Sequence, residues 1–323
     1  MKPSIAVVIP CYKVRAHILD VISRIGPEVS AVFVVDDSCP EQTGQLVQRE
    51  TTDGRVSVIF HEQNRGVGGA VITGYRAAVA NGNNIIVKID GDGQISPELV
   101  PEIVAPIISG EADYVKGNRF FSLSHLQQMP AVRRFGNSAL SFVNKASSGY
   151  WNIMDPCNGF TAIHGQVVQL LPLETIAERY FFESDMLFRL GEIRAVVTDI
   201  PQIAHYGDEK SNLSISSVAV EFPGQYLSRF FKRIFHSYFL RDFNVCSLEL
   251  VAAFVFLVSG AIFGGIHWYL SIVTATARPT GTVVLAALLI TIGMQCLLSA
   301  ISYDVQNIPS RPVHKLYRHA KQK

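Results

Sequence analysis

Short apolar runs recur along the first two-thirds of the chain at Ile5–Ile9, Ala31–Val35, Val56–Phe60 and Ile85–Ile89. Between them, stretches near Ala16–Ile25, Glu41–Arg49 and Val67–Ala80 suit helices. Short apolar strands that alternate with helices predict an α/β unit with a mainly parallel sheet, covered on both faces. Ligands of such sheets bind beyond the carboxyl ends of the strands. Those ends carry Pro10-Cys11-Tyr12, Asp36-Asp37-Ser38 and Asp90-Gly91-Asp92-Gly93-Gln94.

The pattern changes after Glu221. Residues 222–247 mix aromatic and basic side chains, with Phe230, Ile234 and Tyr238 at helical spacing, and predict an amphipathic helix on a membrane surface. Between Glu249 and Arg278 lie 28 residues without Asp, Glu, Lys or Arg, and between Arg278 and Asp304 another 25. About 20 apolar residues cross a bilayer core. Residues 248–303 therefore read as a transmembrane hairpin, with spans near 250–273 and 281–303, and 304–323 as a basic tail. The domain organisation expected is thus a globular domain over 1–221, the juxtamembrane helix, the hairpin and the tail.

Charge sharpens this division. The net charge of +1 joins two unequal parts. Residues 1–221 hold 18 Lys and Arg against 24 Asp and Glu, a net of −6, and residues 222–323 hold 10 against 3, a net of +7. A basic segment beside apolar spans points to anionic lipid rather than nucleic acid. Lys and Arg flank the hairpin on both sides, while its connecting loop holds only Arg278, so the positive-inside rule places both termini in the cytosol. Ile5–Ile9 is too short for a signal-peptide core, and the large domain is expected to stay at the cytoplasmic face. Five scattered cysteines without a C-x-x-C pair imply neither a disulfide framework nor a zinc site.

Asp90 and Asp92 carry the most specific chemistry. Two carboxylates at i and i+2 in a glycine-flanked turn after a strand suit Mg²⁺ or Mn²⁺, ions that prefer carboxylate, water and phosphate oxygens. Such an ion could hold a diphosphate and neutralise it as it leaves. No G-x-x-x-x-G-K-[ST] loop is present, and Asn64–Ala70 is glycine-rich without the G-x-G-x-x-G spacing.

Several motifs occur in order: Val8–Tyr12, Val34–Ser38, Asn64-x-Gly66, Lys88–Gln94, Gly117-Asn118-Arg119, Asp155–Phe160 and Phe182–Asp185. Together, over about residues 3–215, they resemble the family 2 glycosyltransferases of GT-A fold, in the branch that includes dolichol-phosphate-mannose synthases and bactoprenol glucosyltransferases. The resemblance implies a metal-dependent, inverting enzyme. It would pass a sugar from a UDP- or GDP-linked donor to a polyprenyl phosphate at the cytoplasmic membrane. It assigns Pro10, Tyr12, Asp36 and Asp37 to the base and ribose, Asp90 and Asp92 to the metal and diphosphate, and Gln94 to the sugar. Arg119, with Arg133 or Arg134, falls to the lipid phosphate. Glu183 and Asp185 are candidates for sugar or acceptor contacts or an acidic helix start, and Asp155 for a structural role in its turn. His205 stands where relatives carry a diphosphate-binding Arg, with Lys210 able to compensate. Cys11, Lys13 and Ser38-Cys39-Pro40 depart from the common pattern.

A lipid phosphate is already anionic, so positioning and stabilisation of the departing diphosphate suffice without a strong general base. The competing enzyme reading, a transferase acting on a polysaccharide or other glycan acceptor, lacks the Q-x-x-R-W motif: the nearest stretch is Gln225–Phe230. A non-catalytic membrane-binding protein is the third reading, opposed by the retained acidic pairs, Gln94 and Arg119. A homo-oligomer is an open expectation.

Overall fold

The computed structural model describes residues 3–121, 131–202 and 215–320, without the side chains of 131–135, 215–221 and 317–320. The chain forms two compact units, one made of Met1–Phe231 with Pro309–Lys323, the other of Lys232–Ile308.

The first unit is built on seven strands: β1 (Ile5–Cys11), β2 (Val29–Asp36), β3 (Val56–Phe60), β4 (Ile85–Lys88), β5 (Tyr114–Asn118), β6 (Thr161–His164) and β7 (Val197–Pro201). Their order is β3-β2-β1-β4-β6-β5-β7. β6 runs antiparallel to both neighbours and the other pairs are parallel. Alternate residues of β1 feed two cores: Ala6 and Val8 pack on one face, Ile5, Val7 and Ile9 on the other. That two-sided burial is why the strands are continuous apolar runs.

Helices α1 (Ile18–Ser23), α2 (Thr43–Glu50), α3 (Val67–Ala80), α4 (Val100–Ile108), α5 (Ala131–Ser148), the short α6 (Gly165–Val168) and α7 (Phe182–Glu192) cover the sheet. The chain runs outward from β1 through β2 to β3, then returns to place β4 on the other side of β1. The crevice between β1 and β4 is thus a topological switch point, where sheets of this kind bind ligands.

Helix α8 (Ile215–Phe235) leads out of this unit. The helix expected over 222–247 therefore begins earlier and ends earlier. A wide helical turn at His236–Arg241 follows, and a new helix starts at Asn244. There the Asn244 side chain accepts from Cys246 N at 2.9 Å while Ser247 Oγ accepts from Asn244 N at 3.0 Å, a reciprocal cap that fixes the boundary.

In the second unit α9 (Val245–Thr274) pairs with α10 (Thr280–Gln306). Ala253, Gly260, Gly293 and Ala300 are among the buried residues of these helices, small residues of the type that lets helices approach closely in lipid. Only 22 % and 11 % of their apolar windows are buried, and Phe254 and Trp268 stand exposed. Both helices are long and apolar enough to cross a membrane, and core helices of a soluble protein would be mostly buried. Asp304 near the end of α10 is buried because Arg233 grips it with two N–H groups at 2.6 and 3.0 Å and Tyr238 donates to it at 2.6 Å.

The last helix, α11 (Val313–Ala320), belongs to the first unit again. The tail expected at 304–323 is therefore not free along its length. Buried Asp113, just before β5, accepts from Val313 N at 2.8 Å and His314 N at 3.0 Å. His314 Nδ1 lies 2.6 Å from the same carboxylate, and the His314 ring stacks on His164 at 4.3 Å.

Candidate active site

The carboxyl ends of β1, β2 and β4 share one edge: Cys11 is in register with Asp36, and Val8 with Lys88. Pro10 is buried within β1, and Tyr12 just beyond it is 41 % exposed, with Lys13 Nζ 5.5 Å from its ring centre. Asp36 and Asp37 are both buried. Asp36 accepts from Cys39 N at 2.7 Å and Gly44 N at 2.6 Å, which ties the β2 end to the start of α2. Asp37 accepts from Arg65 N at 2.8 Å and Gly66 N at 2.7 Å, and His61 Nδ1 lies 2.8 Å from it. The glycine-rich stretch thus wraps the Asp37 carboxylate. Gly66 enters α3 at φ +88°, a conformation that favours glycine, with the Glu178 carbonyl 2.7 Å from where a Cβ would stand.

Asp90 and Asp92 follow β4. Asp92 is half-buried and accepts from Gln94 N at 3.0 Å, so the turn holds Gln94 beside it. Asp90 lies 2.9 Å from Lys88 Nζ, and the same ammonium donates to Glu183 at 3.2 Å. Lys88 is 1 % exposed. Burial opposes its charge, but Asp90 and Glu183 outweigh burial and hold its pKa above the ordinary lysine range. Across the sheet Lys88 is in register with Thr161, and Thr161 with Lys116. Lys116 is also buried and donates to the Asn158 carbonyl at 2.8 Å. Burial pushes its pKa down to about 8 against the attraction of Glu183 and Asp155, with Lys88 adding to the fall.

Arg119 follows β5. Its Nε and Nη2 fork onto Asp155 at 2.7 and 2.9 Å. Asp155 is 2 % exposed, so the pair fixes the guanidinium in a cleft wall with Phe120, Leu140 and Pro156. Asn158, from the same turn as Asp155, donates to Gln202 at 2.6 Å.

Glu183 and Asp185 do not act alike. Glu183 joins Lys88 and Asp90, whereas Asp185 is fully buried and accepts from Ala177 N and Arg229 Nε, both at 2.9 Å. Arg229 and Arg233, in the basic segment expected to meet anionic lipid, instead meet Asp185 and Asp304, because each buried carboxylate demands a cation. His205 and Lys210, and the side chains of Arg133 and Arg134, lie outside the described residues.

Lys88, Lys116 and Gly159 had no role assigned from the sequence. The signal was there for the lysines, since a lysine inside an apolar strand is rarely buried without a partner. Among the described residues no three His, Cys, Asp or Glu side chains cluster to hold a metal. Two carboxylates remain a fitting donor set for Mg²⁺ or Mn²⁺, because such ions keep waters and take the rest of their ligands from substrate phosphates.

A mostly parallel sheet with its switch point beside an Asp-x-Asp turn, followed by two long apolar helices, defines a GT-A type glycosyltransferase architecture. Residues 6–170 match glycosyl transferase family 2, and the chain belongs to that family. It is 28 % identical over 211 residues to UDP-N-acetylglucosamine–dolichyl-phosphate N-acetylglucosaminyltransferase of Methanococcus voltae, covering 61 % of this chain and 84 % of that one. It is 28 % identical over 198 residues to undecaprenyl-phosphate mannosyltransferase of Micrococcus luteus, covering 60 % and 80 %. Among solved structures, glucosyl-3-phosphoglycerate synthase from Mycobacterium tuberculosis, in complex with Mn²⁺, UDP and phosphoglyceric acid, superposes with a TM-score of 0.53 at 18 % identity, covering 72 % of this chain and 78 % of that one.

Proposed function

We propose that this protein transfers a hexosyl or N-acetylhexosaminyl group from a UDP- or GDP-linked donor to a polyprenyl phosphate at the cytoplasmic face of the membrane. One observation carries the reading. The chain leaves the unit that holds Asp90 and Asp92, passes through two apolar helices, and returns to the same unit at Pro309. Two spans crossed in succession would bring a chain back to the side it left, which supports placing Asp90, Asp92 and both termini at one membrane face. The names of the M. voltae and M. luteus relatives support a polyprenyl-type acceptor.

In this reading an oxygen of the lipid phosphate attacks the anomeric carbon, and the bond from that carbon to the donor diphosphate breaks with inversion. Asp90 and Asp92 would hold the divalent ion, whose charge supports the departing diphosphate. Gln94 borders the sugar. Tyr12 supplies an exposed ring for the base, while Asp36 and Asp37 shape the loops around base and ribose. Arg119 is pre-oriented by Asp155 toward a phosphate, for which the planar guanidinium is better suited than an ammonium. Arg133, Arg134, His205 and Lys210 are further phosphate-binding candidates.

The test is a screen of labelled nucleotide sugars against membranes that contain polyprenyl phosphate, with Mg²⁺ or Mn²⁺. Label in the lipid extract is the expected result. Label found only in polymeric glycan would overturn the acceptor, and no transfer from any donor would overturn the activity.

A further inference from the structure

Glu183, Ser184 and Asp185 are consecutive residues in the first turn of α7; the first reaches β4 and the other two grip α8. Glu183 accepts from Lys88, which lies 2.9 Å from Asp90. Ser184 Oγ is 2.7 Å from the Tyr226 hydroxyl on α8. Asp185 accepts from Arg229 Nε, also on α8, at 2.9 Å. These bonds are shielded: Ser184 is 4 % exposed, Asp185 fully buried and Tyr226 3 % exposed. The Arg229 guanidinium also lies 5.7 Å from the Phe181 ring and 5.9 Å from the Phe188 ring, and Phe181 packs edge-on against Tyr226. A single helical turn is therefore held from outside by the helix that leads to the apolar hairpin, and reaches inward to the Asp-x-Asp turn.

We infer that Tyr226 and Arg229 are positioning residues for the metal–diphosphate site. They fix the first turn of α7, that turn fixes Glu183, and Glu183 with Lys88 sets the orientation of Asp90. Docking of the membrane-leading helix and binding of the metal–nucleotide pair are then one coupled equilibrium. Coupling is carried by connected contacts that bias an element between two arrangements; here two parallel contacts, Tyr226–Ser184 and Arg229–Asp185, hold the α7 turn, and two in series, Glu183–Lys88 and Lys88–Asp90, run from it to the Asp-x-Asp turn. The inference rests on the reading of Asp90 and Asp92 as the metal site.

The experiment uses the full chain in lipid nanodiscs and measures Mn²⁺ binding by electron paramagnetic resonance, with UDP and separately with GDP. The variants are Arg229→Ala, Arg229→Lys, Tyr226→Phe and Asp92→Ala. Arg229→Ala and Tyr226→Phe are expected to weaken Mn²⁺–nucleotide binding about two- to thirty-fold, with Arg229→Lys recovering part of the loss. Tyr226→Phe removes one hydroxyl, so it reports even where Arg229→Ala does not fold. A purely mechanical anchor would lower the unfolding temperature and leave the Mn²⁺ affinity of the folded protein unchanged; that outcome in both variants overturns the inference. If wild type binds no Mn²⁺ with either nucleotide, or Asp92→Ala binds as well as wild type, the metal reading itself fails and the inference falls with it.

Discussion

Gly159 and Asp90 stand so close that no side chain fits between them. A Cβ on Gly159 would lie 2.1 Å from Asp90 Oδ2 and 2.7 Å from Lys88 Nζ. The turn before β6 thus presses bare backbone against the first carboxylate of the Asp-x-Asp turn. Gly159→Ala must push Asp90 aside or lift its own turn. Second-layer changes at metal sites typically cost about 10- to 100-fold in affinity. Gly159→Ala should therefore raise the Mn²⁺ concentration needed for half-maximal transfer by that factor. An unchanged metal titration in a folded variant would remove Gly159 from the site.

Both carboxylates of the turn are half-buried; Asp92 accepts from Gln94 N in its own loop. Asp92→Ala should leave the fold intact, because the side chain is only half-buried and the turn's main anchor to the buried Lys88 is Asp90. Transfer should fall at least about a hundredfold, the scale expected when a group that stabilises transition-state charge is lost. Circular dichroism and a lipid-extraction assay check the two halves. Near-normal transfer by Asp92→Ala would refute the metal role.

Some of this was legible in the chain and some was not, for physical reasons. The strand Val56–Phe60 and the helix Val67–Ala80 coincide with their sequence patterns, since local periodicity and a Gly66 entry decide them. The antiparallel β6 did not show itself: Thr161–His164 is four residues long, and its place depends on pairing with distant β4 and β5. The Asp-x-Asp turn was legible because it is contiguous. Lys88 was visible as a lysine in an apolar strand, but its second partner Glu183 lies 95 residues away. The inward turn of Arg229 and Arg233 was hidden for the same reason, as their carboxylates lie 44 and 71 residues off. Amphipathic pattern gives a helix its faces, while a distant buried carboxylate decides which cations leave the lipid side.

Lys116 gives a pH signature. Its pKa is lowered to about 8 by burial, despite the pull of Glu183 and Asp155, against about 10.4 in an unfolded chain. Between these values the unfolded state holds more protons at this site, so raising the pH favours the folded state. Stability should climb through pH 8 to about 10.4 by up to about 3 kcal/mol. Lys116→Met should flatten that climb. Urea unfolding curves of both proteins across the window decide it, and identical slopes would contradict the assignment.

Asp113 collects four hydrogen bonds, from Val196 N, Val313 N, His314 N and the His314 ring. It closes the return of the chain into the first unit. Burial pushes its carboxyl pKa up, but the bonds from His314, Val196 and Val313 outweigh burial and hold it below the ordinary value. A carboxyl depressed in the folded state stabilises fully above its unfolded pKa of about 3.9 and loses that contribution as the pH falls through the folded value. The docked segment should therefore hold at neutral pH and release only in acid below about pH 4. Asp113→Ala leaves buried donors unpaired, at a cost of about 1–3 kcal/mol for each one that water cannot reach. The variant should undock α11 at pH 7, seen as rapid proteolysis within 309–320 while the wild-type segment resists. Equal protection in both proteins would show that packing of Val313 and the His164–His314 stack, rather than Asp113, holds the segment down.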